Sequence, residues 1–173
     1  MVPPAVPGQE ILLSAGLTSR EIRVSADYAG DEIEEVLSAI QEGFKSEIVF
    51  QFRLYERKRG FFSYFGDRLV FEKSVTRLAY HDLFEQRFVV ESGDERRTLG
   101  GEEQFVPAFF RLSGFLLALI RDIDVRDYYV LGRIRVQPIR LVSPLNIVTL
   151  LFQQTVTTTP WQAVDIQEQG LQW

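Results

Sequence analysis

Residues 46–60, SEIVFQFRLYERKRG, alternate strictly. Ile48, Phe50, Phe52 and Leu54 fall on one side, and Val49, Gln51, Arg53 and Tyr55 on the other. This is the period-two signature of a half-buried β-strand. So much apolar surface on one face of one strand needs a sheet beside it and a layer packed on it. The following segments supply neighbours. RLVFEKSVTRLAYHD (68–82) reads as a second long strand. Its Leu69, Phe71, Val75 and Ala79 share a face with Lys73, Arg77 and His81. Val70, Leu78 and Tyr80 share the other with Glu72, Ser74 and Thr76, so alternation leaves the inward side open. EQRFVVES (85–92) reads as a third strand, closed by a turn at Ser92-Gly93-Asp94. Between the first two strands, FFSYFGD is a loop ended by Gly66-Asp67.

The flanking segments are read in the same way. Two alternating runs, near 10–17 and 20–28, joined at Thr18-Ser19, predict a hairpin. In GDEIEEVLSAIQEGF, Ile33, Val36, Leu37, Ile40 and Phe44 follow helical spacing. Asp31 is the expected cap, with Glu34 as its capping-box partner, and Gly43 fits just past the end. GEEQFVPAFFRLSGFLLALI (101–120) predicts a second helix with a stripe of Phe105, Ala108, Phe109, Leu112, Leu116 and Leu119. Glu102 and Glu103 open it, and Pro107 is either tolerated in its first turns or kinks it. YYVLGRIRVQPIRL (128–141) is another strand, with Pro138 marking an edge or a bend. Ser143-Pro144 then reads as the start of a short helix over 144–152. Residues 1–8 carry three prolines and read as a flexible tail, 9–153 as a single domain, and 154–173 as an added strand, a docking arm or disorder. The order β-β-α-β-β-β-α-β-(α), with short links between consecutive strands, predicts an α+β fold. In it an antiparallel sheet, flat or curved, has two main helices packed on one face.

Composition removes several function classes. The chain has 173 residues, no cysteine and one histidine. Disulfide frameworks, thiolate zinc sites and thiol nucleophiles are therefore excluded, and a Ser-His-Asp or histidine-rich metal site has too few parts. A net charge of −5 speaks against a nucleic-acid partner. The longest apolar run, Phe105 to Ile120, is broken by Pro107, Arg111 and Gly114 and is short of a membrane span. The opening MVPPAVPGQE reads as the mature end of an exported protein with a methionine placed before it.

Within these bounds the strongest candidate is ERKRGFFSYFG. Arg57, Lys58 and Arg59 precede Phe61, Phe62, Tyr64 and Phe65. A hairpin tip cannot bury four rings within itself, so cations beside aromatics suit a membrane headgroup surface, an anionic polymer or a protein partner. The rings could instead fold back as a lid on the core. His81 lacks a partner acid in sequence, because Asp82 points to the opposite face of a strand. A structural role, with a hydrogen bond near a strand end, is expected for it. Asp122, Asp124 and Asp127 in DIDVRD could hold Ca²⁺ or Mg²⁺, but they lack the glycine and later glutamate of an EF-hand and read as a solvated link. The acids at 31–35 and 102–103 open helices, where the dipole explains them. LGGEEQ lacks the lysine of a phosphate loop and reads as a turn. No cofactor is expected.

The stretch FGDRLVFEKSVTRLAYHDLFEQRFVVE and the later DYYVLGRIRVQPIRLVSPL together resemble the bacterial domain-of-unknown-function family 4390. The similar features are the RLAYH-x-L strand, the aromatic-basic loop before it, and the YYV-x-x-R-I-x-V strand ending in a Pro-Leu pair. The likeness covers roughly residues 20–150. It departs from the family pattern in using phenylalanine and tyrosine for tryptophan in the loop, in a more apolar second helix and in the tail. The resemblance implies an exported, extracytoplasmic protein of the periplasm or envelope, with its export signal removed, and no activity. The expected function is thus a non-enzymatic protein-interaction or binding module, its partner an envelope protein or membrane surface. The alternative is a carrier of a lipid or other apolar ligand in a sheet-helix pocket.

Overall fold

The computed structural model describes residues 11–18, 20–60, 64, 66–120, 125–139 and 156–168. In chain order the elements are β1 (Ile11–Thr18), β2 (Glu21–Tyr28), α1 (Ile33–Gln41), β3 (Lys45–Glu56), β4 (Arg68–Asp82), β5 (Arg87–Ser92), β6 (Glu95–Leu99), α2 (Glu102–Phe110), β7 (Arg111–Leu119), β8 (Tyr128–Ile139), β9 (Thr157–Thr158), β10 (Gln162–Asp165) and β11 (Gln167–Glu168). Among the described residues the fold is α+β: two α-helices with mostly antiparallel sheet that does not close into a barrel. Two strand arrays are present among the described residues. One has the order β11-β1-β2-β7 and the other β10-β8-β3-β4-β5-β6, with β9 also on β8. That division into two arrays is not visible in the sequence.

β3 is the central strand of the larger array, paired along its whole length with β8 and, through one register shift, with β4. Its alternation has the expected consequence: Ile48, Phe50, Phe52 and Leu54 are completely buried. They join one core with Ile22, Val24, Ala26 and Tyr28 of β2, Val36 and Ile40 of α1, and Phe105, Phe109 and Phe110 of α2. Full burial of each such side chain is worth about 1.5–3 kcal/mol. Over residues 73–79 the open question of β4 is also settled, whereas at Val70, where the register with β3 shifts, the alternation breaks and Val70 packs against the core. Val75 and Ala79 face this core, and the cations on their side reach backbone carbonyls instead of water. Lys73 Nζ donates to Leu116 O at 3.3 Å. Arg77 Nη1 donates to Ala108 O at 2.8 Å and to Arg111 O at 2.6 Å.

The smaller array lies against the larger one closely enough for glycine to matter. A Cβ on Gly132 of β8 would meet both terminal methyl groups of Leu13 of β1 at 2.9 Å. At its other edge, β7 packs on β3 and β4, and Phe115 stacks on Phe52 with ring centroids 6.0 Å apart.

α1 ends as expected. The amide of Phe44 donates to Ala39 O and that of Gly43 to Ile40 O, each at 3.0 Å, with Gly43 at φ +92°. This is a Schellman ending. Its start differs. The cap residue is Glu32, with no side-chain cap bond, so the box from Asp31 to Glu34 does not form. The Glu32 carboxylate instead accepts from Tyr28 Oη at 2.7 Å.

The expected long second helix is corrected. It stops at Phe110, and Arg111 is already extended at φ −113°, ψ 128°. Residues 111–119 are strand β7, paired with β2. A short apolar run fits either period, and its Leu112, Leu116 and Leu119 only mimic a helical stripe. Leu117 and Ala118 are buried, whereas Leu119 is exposed. Gly114, at φ +62°, lies where the register with β2 shifts and supplies the left-handed residue of a bulge. The sequence reading also lacks β6, whose ERRTL is too polar to signal a strand. Of the alternatives for the C-terminal segment, residues 157–168 take the added strand. β10 pairs with β8 and β11 with β1, and the buried Ile166 makes the crossing between arrays. Residues 1–8 and the expected helix over 144–152 lie outside the described residues. α1 and α2 have nine residues each, and no helix among the described residues is long and apolar enough to cross a membrane.

Candidate interaction surface

A polar clasp closes the base of the loop that joins β3 to β4. The amide of Arg57 donates to Asp127 O at 2.6 Å, and its Nη1 to Arg126 O at 3.0 Å. The same guanidinium pairs with Asp165 of β10 and lies 5.0 Å from the ring centre of Tyr129. Arg59 pairs with Asp127. The amide of Lys58 donates to Asp67 Oδ1 at 3.2 Å, and Tyr129 Oη donates to Asp67 Oδ2 at 3.0 Å. Tyr129 in turn stacks on Tyr55, 5.5 Å between centroids. Burial, together with the bond to Asp67, pushes the Tyr129 phenol up from 10.0 to about 12. Exposed ion pairs contribute roughly 0–1 kcal/mol each, so the clasp acts mainly by fixing where Arg57 and Asp67, the two ends of the loop, leave the strands.

Two of the three cations singled out in the sequence therefore brace the loop as well as meeting solvent. Tyr64 projects from it and is 88% exposed. Phe61, Phe62 and Phe65, with the lid alternative that concerns them, lie outside the described residues.

Sequence reasoning missed a second aromatic-basic contact on the outward face of β3 and β8. The guanidiniums of Arg53 and Arg133 lie 4.5 and 4.4 Å from the ring centre of Trp161. Both are held from behind, Arg53 Nε donating to Glu72 at 2.9 Å and Arg133 Nε to Gln51 at 2.6 Å. Trp161 directly precedes β10, so the indole lays the C-terminal segment on the sheet. The outward position of Arg53 was legible from alternation, but nothing local pointed to a tryptophan more than a hundred residues away.

His81 lies opposite Phe88, with ring centroids 5.0 Å apart. Its Nδ1 is buried without a hydrogen-bond partner, so the bond expected near the strand end is absent at this atom. Asp82 turns away and accepts from the amides of Phe84 and Glu85 at 2.9 and 3.1 Å. Asp122 and Asp124 lie outside the described residues, and Asp127 belongs to the clasp. Among the described residues no group of three His, Asp or Glu is placed to hold a metal. Glu102 accepts from Gln41 Nε2 at 2.6 Å, which ties the two helices together. Gly100 and Gly101 form the turn into α2, where the Gly100 amide donates to Gln104 Oε1 at 3.3 Å. A cleft of about 520 Å³ opens beside that turn, lined by Phe88 and residues 100–104.

Comparison of the chain with protein-family models, with curated proteins and with solved structures yields no match.

Proposed function

We propose that the chain is a non-enzymatic binding module of the bacterial envelope, using the tip of the β3–β4 hairpin, residues 57–67, to engage an envelope protein. The observation that carries this reading is a tip mounted on a rigid base. Arg57, Arg59 and Asp67 are tied to three other segments, while Tyr64 stands in solvent. A loop whose two ends are tied down has less freedom to lose on binding, and loops on rigid scaffolds are common recognition sites. The envelope location rests on the resemblance to family 4390. The space between β3 and the helices is filled by Phe50, Phe52, Phe105, Phe109 and Phe110. This favours surface binding over carriage of an apolar ligand.

A photo-crosslinking amino acid at position 64, in the bacterium that encodes the chain, tests the proposal. The expected result is one discrete protein adduct, absent when the probe stands at the exposed Glu35 of α1. Binding to phosphatidylglycerol vesicles without a protein adduct would assign the tip to the membrane surface. Neither adduct nor vesicle binding would refute the tip as a contact site.

A further inference from the structure

Arg77 reaches the end of α2 with one nitrogen only. Its Nη1 donates to Ala108 O and Arg111 O at 2.8 and 2.6 Å and lies 3.4 Å from Phe109 O. A guanidinium spreads its five donors over three nitrogens. Among the described residues Nε and Nη2 have no hydrogen-bond partner, and no carboxylate pairs with Arg77. Both nitrogens reach open space. Arg77 lines a cavity of about 60 Å³ with Val90, Ser92, Glu95, Arg97 and Ala108.

The β5–β6 hairpin brings the other charges to this cavity. Val90 pairs with Arg97 and Ser92 with Glu95, so the four side chains share one face. Arg97 Nη2 donates to Glu95 Oε2 at 3.0 Å. Both side chains are exposed, which places this ion pair at the mouth. The cavity is thus lined by two guanidiniums and one carboxylate. Burial lowers the pKa of Arg77, and the Arg97 cation lowers it further, by more than the Glu95 carboxylate raises it. A guanidinium keeps its proton, so the surplus positive charge stays in place.

We propose that this cavity holds one small monovalent anion of the chloride class between Arg77 and Arg97. The inference is independent of the hairpin-tip reading. A water takes up about 30 Å³ in the liquid, so the space suits one or two waters or a single small ion, and excludes a sugar phosphate or a nucleotide. One negative charge balances the surplus, whereas a divalent oxyanion exceeds it. The free N–H groups of Arg77 and the guanidinium of Arg97 supply charge-assisted donors. The Ser92 hydroxyl, whose bond to Thr76 O is long at 3.4 Å, can turn to add another. Nη1 stays on the carbonyls, so the ion holds Arg77 in the position that closes α2. Water alone fits the volume but leaves the two cations unbalanced.

The intact chain is melted at constant ionic strength while chloride replaces gluconate, an anion too large for the cavity. The midpoint should rise and saturate, as for a ligand that binds the folded state alone, and the NMR line of the chloride nucleus should broaden when the protein is added. Glu95→Gln removes the competing carboxylate and should tighten binding about tenfold. Arg97→Gln removes one cation and frees Glu95 to turn to Arg77, so the response to chloride should vanish. Both residues are exposed, so neither change disturbs the core. An equal rise in midpoint for Arg97→Gln would mark a general salt effect, and an unbroadened chloride line with the parent chain would leave the cavity to water. Either result would overturn the proposal.

Discussion

The guanidinium of Arg77 donates to the carbonyl of Arg111, the residue at which α2 becomes β7, with Nη1 and O 2.6 Å apart. The same nitrogen donates to Ala108 O at 2.8 Å. The last carbonyls of a helix have no partner within it, and this arginine from a neighbouring strand satisfies them. Burial lowers the pKa of Arg77, but a guanidinium remains charged. It also lies over the face of Phe50, 5.4 Å from the ring centre, which links the helix end to the centre of the core.

Arg77→Met should therefore destabilise the fold by about 2–3 kcal/mol, from carbonyls left unpaired. For a chain of this length that is roughly a 5–10 °C fall in melting temperature. Arg77→Lys, with one point charge in place of the fork, should recover part of the loss. Thermal and urea melts of the three proteins check this, and an unchanged midpoint for Arg77→Met would show that the cap does not stabilise.

His81→Phe should leave stability unchanged or raise it by about 1 kcal/mol. The buried Nδ1 has no partner, and an apolar ring can keep the contact with Phe88 while removing an unpaired polar atom. A loss of more than about 2 kcal/mol in a urea titration would reveal a bond that the structure does not contain.

Alkaline pH should weaken the clasp at the hairpin base. The Tyr129 phenol titrates near 12 in the folded chain against 10.0 in the unfolded one. The folded state thus holds its proton more tightly. The associated stability is fully present below pH 10, falls as pH rises because the unfolded chain ionises first, and is gone above 12. Tyr80 and Tyr128 are shifted in the same direction, chiefly by burial, and add to the slope. Urea melts from pH 9 to 12 should show a shallower decline for Tyr129→Phe than for the parent. Parallel declines would remove Tyr129 from the account.

Trp161→Ala should loosen the C-terminal segment without unfolding the sheet beneath it. Two cation–π contacts of about 0.5–1 kcal/mol each are lost, together with the packing of the indole. Amide hydrogen exchange should quicken over residues 162–168 and stay slow in the middle of β3. Uniform acceleration throughout the chain would instead mean that the segment is part of one cooperative unit.

The central strand and the first helix were legible in the sequence because each carries a complete local signal. The alternation from Ile48 to Leu54 marks the buried face of β3 with no knowledge of its neighbours, and Gly43 marks the end of α1 through a requirement of its own backbone. The aromatic-basic composition of residues 57–65 was equally plain, but the partners of Arg57 and Arg59 come from residues 126, 127 and 165, which no local pattern connects to them. Tertiary structure alone decided three further matters: that residues 111–119 are strand, which way β4 faces, and where Trp161 lands. Periodicity reports which side chains avoid water. It does not report whether a carbonyl at a helix end will meet an arginine from another strand, or whether an extended neighbour such as β2 is waiting to pair, and those are the interactions that chose between two backbone forms of one apolar run.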